Sequence, residues 1–167
     1  MITVEAKLTN KEMFNFLMRH NYFSMGGVCG VILSIGALVI LFINIKNDEM
    51  SNAYKFALIF IGLLFTVIQP VMLYVKATTQ VKKSDSVNKA LKYEFDEKGF
   101  TISLGEEKVA QDYGAVTKII STKLSVIIYI SKYRAFIIPK RDLIENFEAF
   151  KELLNKNVKN AKSVSVK

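Results

Sequence analysis

The chain has 167 residues, of which 51% are hydrophobic and 23% charged, with a net charge of +8 and a mean hydropathy of +0.25. Those values exclude an ordinary soluble domain unless the apolar residues are gathered into segments. A single cysteine, Cys29, a single histidine, His20, and no tryptophan exclude a disulfide framework and any Cys/His zinc spacing.

The first residues alternate. Ile2, Val4, Ala6 and Leu8 interleave with Thr3, Glu5 and Lys7, the period of a half-buried strand. Thr9 with Glu12 three positions on fits a capping box. It opens a helix whose apolar face is Met13, Phe14, Phe16, Leu17 and Met18. Tyr22 and Phe23 are aromatics suited to a membrane interface. Residues 1–21 are thus expected to form a cytoplasmic strand and amphipathic helix. The strand needs a sheet to join, and only the C-terminal part can supply one.

Met25 to Ile45 and Phe56 to Val75 are uncharged runs of 21 and 20 residues. As helices each rises about 30 Å, enough to cross a hydrocarbon core. They predict a transmembrane hairpin over residues 22–75, with spans at about 24–45 and 55–75. The first run is too long, too far from the N-terminus and too soon followed by another to read as a signal peptide. The connection between them carries Asp48 and Glu49, whereas Lys7, Lys11 and Arg19 precede the first span and Lys76, Lys82 and Lys83 follow the second. The positive-inside rule then predicts a two-pass protein of the cell membrane with both termini cytoplasmic.

Gly26, Gly30 and Ser34 recur at every fourth position. Such a stripe allows close helix packing, either on the second span or on a second copy in a homodimer. Pro70, after Gln69, should bend the second span near its end.

From Lys76 onward, 18 Lys or Arg stand against 11 Asp or Glu. This juxtamembrane bias needs no nucleic acid to explain it. Residues 76–91 are expected to be a basic helical extension or linker. Residues 92–155 predict an antiparallel β domain closed by a helix. Its strands are Tyr93–Phe95, Phe100–Leu104, Val109–Tyr113, Val116–Ser121, Ser125–Ser131 and Ala135–Ile138. A turn at Asp96–Gly99 calls for positive φ at Gly99, and Lys132–Arg134 forms a hairpin loop. Pro139 stops the last strand. Asp142 caps a helix with Leu143, Ile144, Phe147, Phe150, Leu153 and Leu154 at helical spacing. The basic tail, residues 156–167, should fray.

Several of these segments together resemble the YcxB-like bacterial membrane proteins: Leu8-Thr9 before a Phe-rich helix, two spans, the run Tyr93-Glu94-Phe95-Asp96-Glu97-Lys98-Gly99-Phe100, and Ala135-Phe136-Ile137-Ile138-Pro139-Lys140-Arg141 before the Phe147/Phe150 helix. Tyr113 stands where members usually carry a Trp. The resemblance implies a pleckstrin-homology-like cytoplasmic domain and a Gram-positive inner membrane, and no established activity. The expected class is therefore a membrane α+β protein: a two-helix transmembrane hairpin plus a small antiparallel, pleckstrin-homology-like β domain closed by a C-terminal helix.

Little in the chain points to catalysis. His20 has no acid or nucleophile near it in sequence, and Asp96-Glu97 and Glu106-Glu107 read as solvated turns. Gly26-Gly27-Val28-Cys29-Gly30 lacks the Gly-Lys-Ser/Thr ending of a phosphate loop. No catalytic residue, cofactor, metal site, small-molecule substrate or nucleic acid is expected. The basic clusters carry the functional expectation. Lys82, Lys83, Lys140 and Arg141 are candidates for contact with anionic lipid headgroups, against the alternative that they only set topology. The expected role is a non-enzymatic regulator, scaffold or accessory subunit binding a partner protein or headgroups. The alternative is an immunity protein that protects its producing cell against a membrane-acting toxin or bacteriocin.

Overall fold

A computed structural model describes residues 1–46, 50–84, 89–131, 134–158 and 164–165. The connection residues Asp48 and Glu49 and the loop residues Lys132 and Tyr133 lie outside that set. The chain forms two compact units, one of residues 14–78 and one built from residues 1–13 together with 79–167.

The described elements of the unit of residues 14–78 are all helices. Helix α1 (Asn10–Tyr22) enters this unit, followed by α2 (Met25–Asn44) and α3 (Asn52–Leu63). A π-helical turn (Leu64–Ile68) joins α3 to α4 (Gln69–Lys83). Helix α2 and the continuous helix Asn52–Lys83, with 20 and 32 residues, are each long and apolar enough to cross a membrane. Ser24 and Ser51 cap α2 and α3 by accepting from the Gly27 and Tyr54 amides.

The two helices run antiparallel with α2 turning a narrow face to its neighbour. The buried residues of α2 are Gly27, which lies against Asn21 at the end of α1, and Gly30, Ser34 and Ala37. Of the expected stripe, Gly30 and Ser34 are buried here, whereas Gly26 is exposed and a Cβ added there would meet nothing within 4 Å. Spacing by four advances the face by about 40° per step, whereas the 3-4-3 spacing of Gly27, Gly30, Ser34 and Ala37 holds to one seam. A Cβ on Gly30 would stand 2.2 Å from the Phe65 ring, and one on Gly62 2.4 Å from Leu38.

The irregularity expected at Pro70 lies one turn earlier, in the π turn. Pro70 has no N–H and its ring crowds the carbonyl four residues back, so widening the preceding turn relieves it. The backbone groups this disturbs find partners in the hairpin. The Ser34 hydroxyl donates to the Ile61 carbonyl (2.8 Å) and accepts from the Phe65 amide (3.4 Å). The Thr66 hydroxyl donates to the Gly62 carbonyl (2.6 Å), and the Tyr22 hydroxyl to that of Phe65. An apolar environment demands such internal satisfaction.

The other unit holds two sheets. The first has the order β1-β2-β3-β4, all antiparallel: β1 (Ile2–Ala6), β2 (Leu91–Phe95), β3 (Gly99–Leu104) and β4 (Glu107–Asp112). The N-terminal strand joins this sheet as its alternation requires, from Ile2 opposite Phe95 to Ala6 opposite Leu91. The second sheet has the order β7-β6-β5-β8, from β5 (Lys118–Ser121), β6 (Ser125–Tyr129), β7 (Ala135–Pro139) and the short β8 (Val164–Ser165). Strand β8 runs parallel to β5, so part of the tail expected to fray is paired. Helix α5 (Phe147–Asn157) completes the unit, and Val158 just beyond it is buried.

One core joins both sheets and α5. Phe95 stacks on Phe100 at 5.4 Å and meets Phe150 of α5 edge-on at 4.9 Å, while Phe100 meets Phe136 edge-on at 5.5 Å. Such pairs add about 0.5–1.5 kcal/mol beyond their burial. Tyr93, Ile119, Val126, Ile128, Ile138, Leu143 and Leu154 fill the rest.

Three local expectations are corrected. Gly99 lies in β3 without positive φ; the positive-φ glycine is Gly105, first central residue of the β3–β4 turn. The Asp96 carboxylate closes the earlier turn instead, accepting from the Lys98 and Gly99 amides at 2.7 and 2.8 Å. Gly99 is needed because a Cβ there would lie 2.1 Å from the Gln111 carbonyl oxygen. Asp142 does not cap α5: it ends one 3₁₀ turn, Lys140–Asp142, and a second, Ile144–Asn146, separates it from the helix. They bury Leu143 fully and turn Ile144 out to 75% exposure.

Candidate functional site

The clearest constellation of charged groups lies where the end of β7 meets the N-terminal segment. Pro139 ends β7, and the 3₁₀ turn after it presents Lys140, Arg141 and Asp142. Opposite stands the capping box at the start of α1. The Glu12 carboxylate accepts from the Thr9 amide (2.8 Å) and hydroxyl, and the Thr9 carbonyl accepts from the Met13 amide (3.1 Å).

Glu12 is only 4% exposed, so its charge needs a partner. Arg141 supplies it. One guanidinium nitrogen, Nη1, donates to Glu12 Oε1, while Nη2 donates to the Lys7 carbonyl (2.5 Å) and Nε lies 3.3 Å from Asp142 Oδ1. The planar fork of Arg serves three acceptors at fixed angles, which Lys cannot do. Burial pushes the Glu12 carboxyl up, but the two bonds from Thr9 and the Arg141 charge outweigh it and hold it below its ordinary value.

Lys140 places its ammonium 5.0 Å from the centre of the Phe147 ring, a cation–π contact. Lys82 and Lys83 end α4 and are exposed. The four residues expected at headgroups therefore divide into two outward cations at the end of α4, one half-buried cation over an aromatic ring, and one guanidinium engaged inside its own unit.

The Tyr113 hydroxyl donates to the Asp96 carbonyl (3.0 Å), pinning the far turn of the first sheet; burial, then the Asp96 charge, raises its pKa. His20 is exposed, with its ring stacked 5.7 Å from that of Phe16. Cys29 is exposed on α2. Among the described residues no group of three His, Cys, Asp or Glu side chains is placed to hold a metal ion.

The pairing of Arg141 with Glu12 was beyond sequence reasoning. The residues are 129 positions apart, and no local pattern at either end names the other. The one available signal was that a capping-box Glu beside an apolar strand becomes buried and then requires a cation.

Residues 95–154 match the family model described as YcxB-like protein, the family that the sequence resembles. The matched segment runs from the last residue of β2 into α5 and leaves out β1 and the helical hairpin. No curated protein and no solved structure matches the chain.

Proposed function

We propose that this chain, with its YcxB-like segment, is a two-pass membrane protein without catalytic activity, and that its strand-rich unit is a docking module at the cytoplasmic face of the cell membrane. It serves as a regulator, scaffold or accessory subunit that recruits a partner. The observation that carries this reading is the pairing of β1 with β2. The strand before the first apolar helix bonds to the strand after the second, so both flanks must lie on one side of any membrane the hairpin crosses. Two crossings satisfy that requirement and one does not.

The hairpin's surface supports insertion. Ile32, Leu33, Phe42, Ile43, Phe56 and Met72 are each more than 60% exposed. A water-facing helix pair would not display so continuous an apolar surface. The Lys and Arg residues flanking the outer ends support the cytoplasmic assignment. A pleckstrin-homology-like fold is supported by the plan itself, two packed sheets whose neighbours are antiparallel except for the short β8 on β5, with a C-terminal helix and with the hairpin inserted after the first strand. Lys82 and Lys83, directly after the second apolar run, are the residues suited to anionic headgroups, each worth about 1 kcal/mol near such a surface.

Labelling with an impermeant thiol reagent tests the orientation. In a Cys29→Ala background, Ser51→Cys should react in intact cells and Glu97→Cys only after permeabilisation. The reverse pattern would invert the topology, and reaction of both would remove the membrane reading.

A further inference from the structure

We propose that β4 is an interface at which two copies of this chain join, their β4 strands pairing antiparallel about a two-fold axis at Ala110. This goes beyond the docking role and does not depend on which side of the membrane the unit occupies.

Strand β4 is the last strand of its sheet in the order β1-β2-β3-β4. Five of its six residues are exposed and the sixth, Gln111, is half-buried, so both of its faces meet solvent. No other strand whose burial is described is so bare. Val109 is 47% exposed, one of few large apolar side chains displayed by this unit. Among the described residues this edge is unpaired, and an edge of six residues without proline or a bulge is a template for another strand.

The hydrogen-bond parity of the sheet fixes what that edge offers. The Asp96 amide donates to the Gly99 carbonyl (3.0 Å), so Gly99, Thr101 and Ser103 turn their backbone groups to β2. Phe100, Ile102 and Leu104 then turn theirs to β4, where they face Gln111, Val109 and Glu107. Lys108, Ala110 and Asp112 are left with N–H and C=O directed outward.

A second β4 must meet outward groups with outward groups, which leaves few registers. Centring on Lys108 or on Asp112 sets like charges opposite each other. Centring on Val109 sets Lys108 against Ala110, and centring on Gln111 sets Asp112 against Ala110, so each leaves a charge unmatched. Centring on Ala110 sets Lys108 against Asp112 twice, with the small alanine at the axis and Val109 opposite Gln111. The charges that guard this edge against arbitrary strands are complementary in that one arrangement. The contact is isologous and closes on itself as a dimer.

Disulfide trapping of the full chain in its native membrane tests this, in a Cys29→Ala background. At a two-fold axis through position 110 the Cα atoms are about 5.5 Å apart, within disulfide reach. Ala110→Cys should therefore give an oxidised homodimer. Glu107→Cys, about 20 Å from its copy in this register, should not. Adding Lys108→Gln to Ala110→Cys should lower the dimer fraction, and Lys108→Glu should lower it further, by about tenfold in dissociation constant. Both replacements are at an exposed position, so folding is not at stake. Equal trapping at positions 107 and 110, capture of a different protein by Ala110→Cys, or indifference to the charge at 108 would each overturn the proposal.

Discussion

Arg141 behaves as a structural residue with a charged head. Its guanidinium serves Glu12, the Lys7 carbonyl and Asp142, and Glu12 in turn satisfies the first turn of α1. Replacing Arg141 by Gln leaves a buried carboxylate without its cation. Because the Arg141 side chain is 43% exposed, water screens part of the loss, and about 1–2 kcal/mol is expected. Thermal unfolding of the purified protein checks this, with Arg141→Lys recovering only part of the loss. The same pair sets an acid dependence. The Glu12 carboxyl is depressed in the folded protein, so its contribution is complete above the ordinary value of 4.5 and is lost as pH falls through the lower, folded value. Glu12→Gln should flatten that segment of a stability–pH curve; an unchanged acid limb would place the sensitivity in another carboxylate.

At the scale of the element, the α2 seam separates glycines that look alike in sequence. Gly26 has open space where a Cβ would go, Gly27 has the Asn21 carbonyl oxygen at 2.0 Å, and Gly30 has the Phe65 ring. Gly26→Ala should be neutral to slightly stabilising. Gly27→Ala and Gly30→Leu should each destabilise the hairpin by about 1–3 kcal/mol, the usual cost of overpacking. Heat-induced aggregation of the detergent-solubilised chain would rank the three. If Gly26→Ala were the most damaging, the face would pack on a second copy, as the alternative reading of the stripe holds. The seam also explains Ser34, the polar residue of the stripe, whose hydroxyl bridges the backbone beside the π turn.

For the whole molecule, the basic residues no longer form one class. Lys82 and Lys83 point outward after the second apolar run, whereas Arg141 is neutralised by its neighbours. Changing Lys82 and Lys83 together to Gln should reduce selection of anionic over neutral lipid from a mixed bilayer by up to about 2 kcal/mol. The difference should shrink as salt shortens the screening length from about 10 Å at 0.1 M towards 3 Å at 1 M. Arg141→Gln should leave that selection unchanged while lowering stability. Lipid selection that ignores both the lysines and the salt would leave them a topological role only.

What the sequence determined by itself was whatever depends on local period and composition. Two uncharged runs of about 20 residues define the long helices, because length and hydropathy suffice for that. Alternation over Ile2 to Leu8 and again from Tyr93 to Ile138 defines the strands, because each strand must show one face to a core. It even required a distant partner for β1, since a half-buried strand cannot stand alone. Tertiary structure alone decided which glycines form the seam, because a one-residue rotation of α2 changes the contact face without changing its composition. It also decided that Ile144 turns outward while Leu143 is buried, because a 3₁₀ turn replaces the first turn of the expected helix. And it decided that Arg141 serves Glu12, because a charge meets its partner through space, and no periodicity within the chain encodes a contact spanning 129 positions.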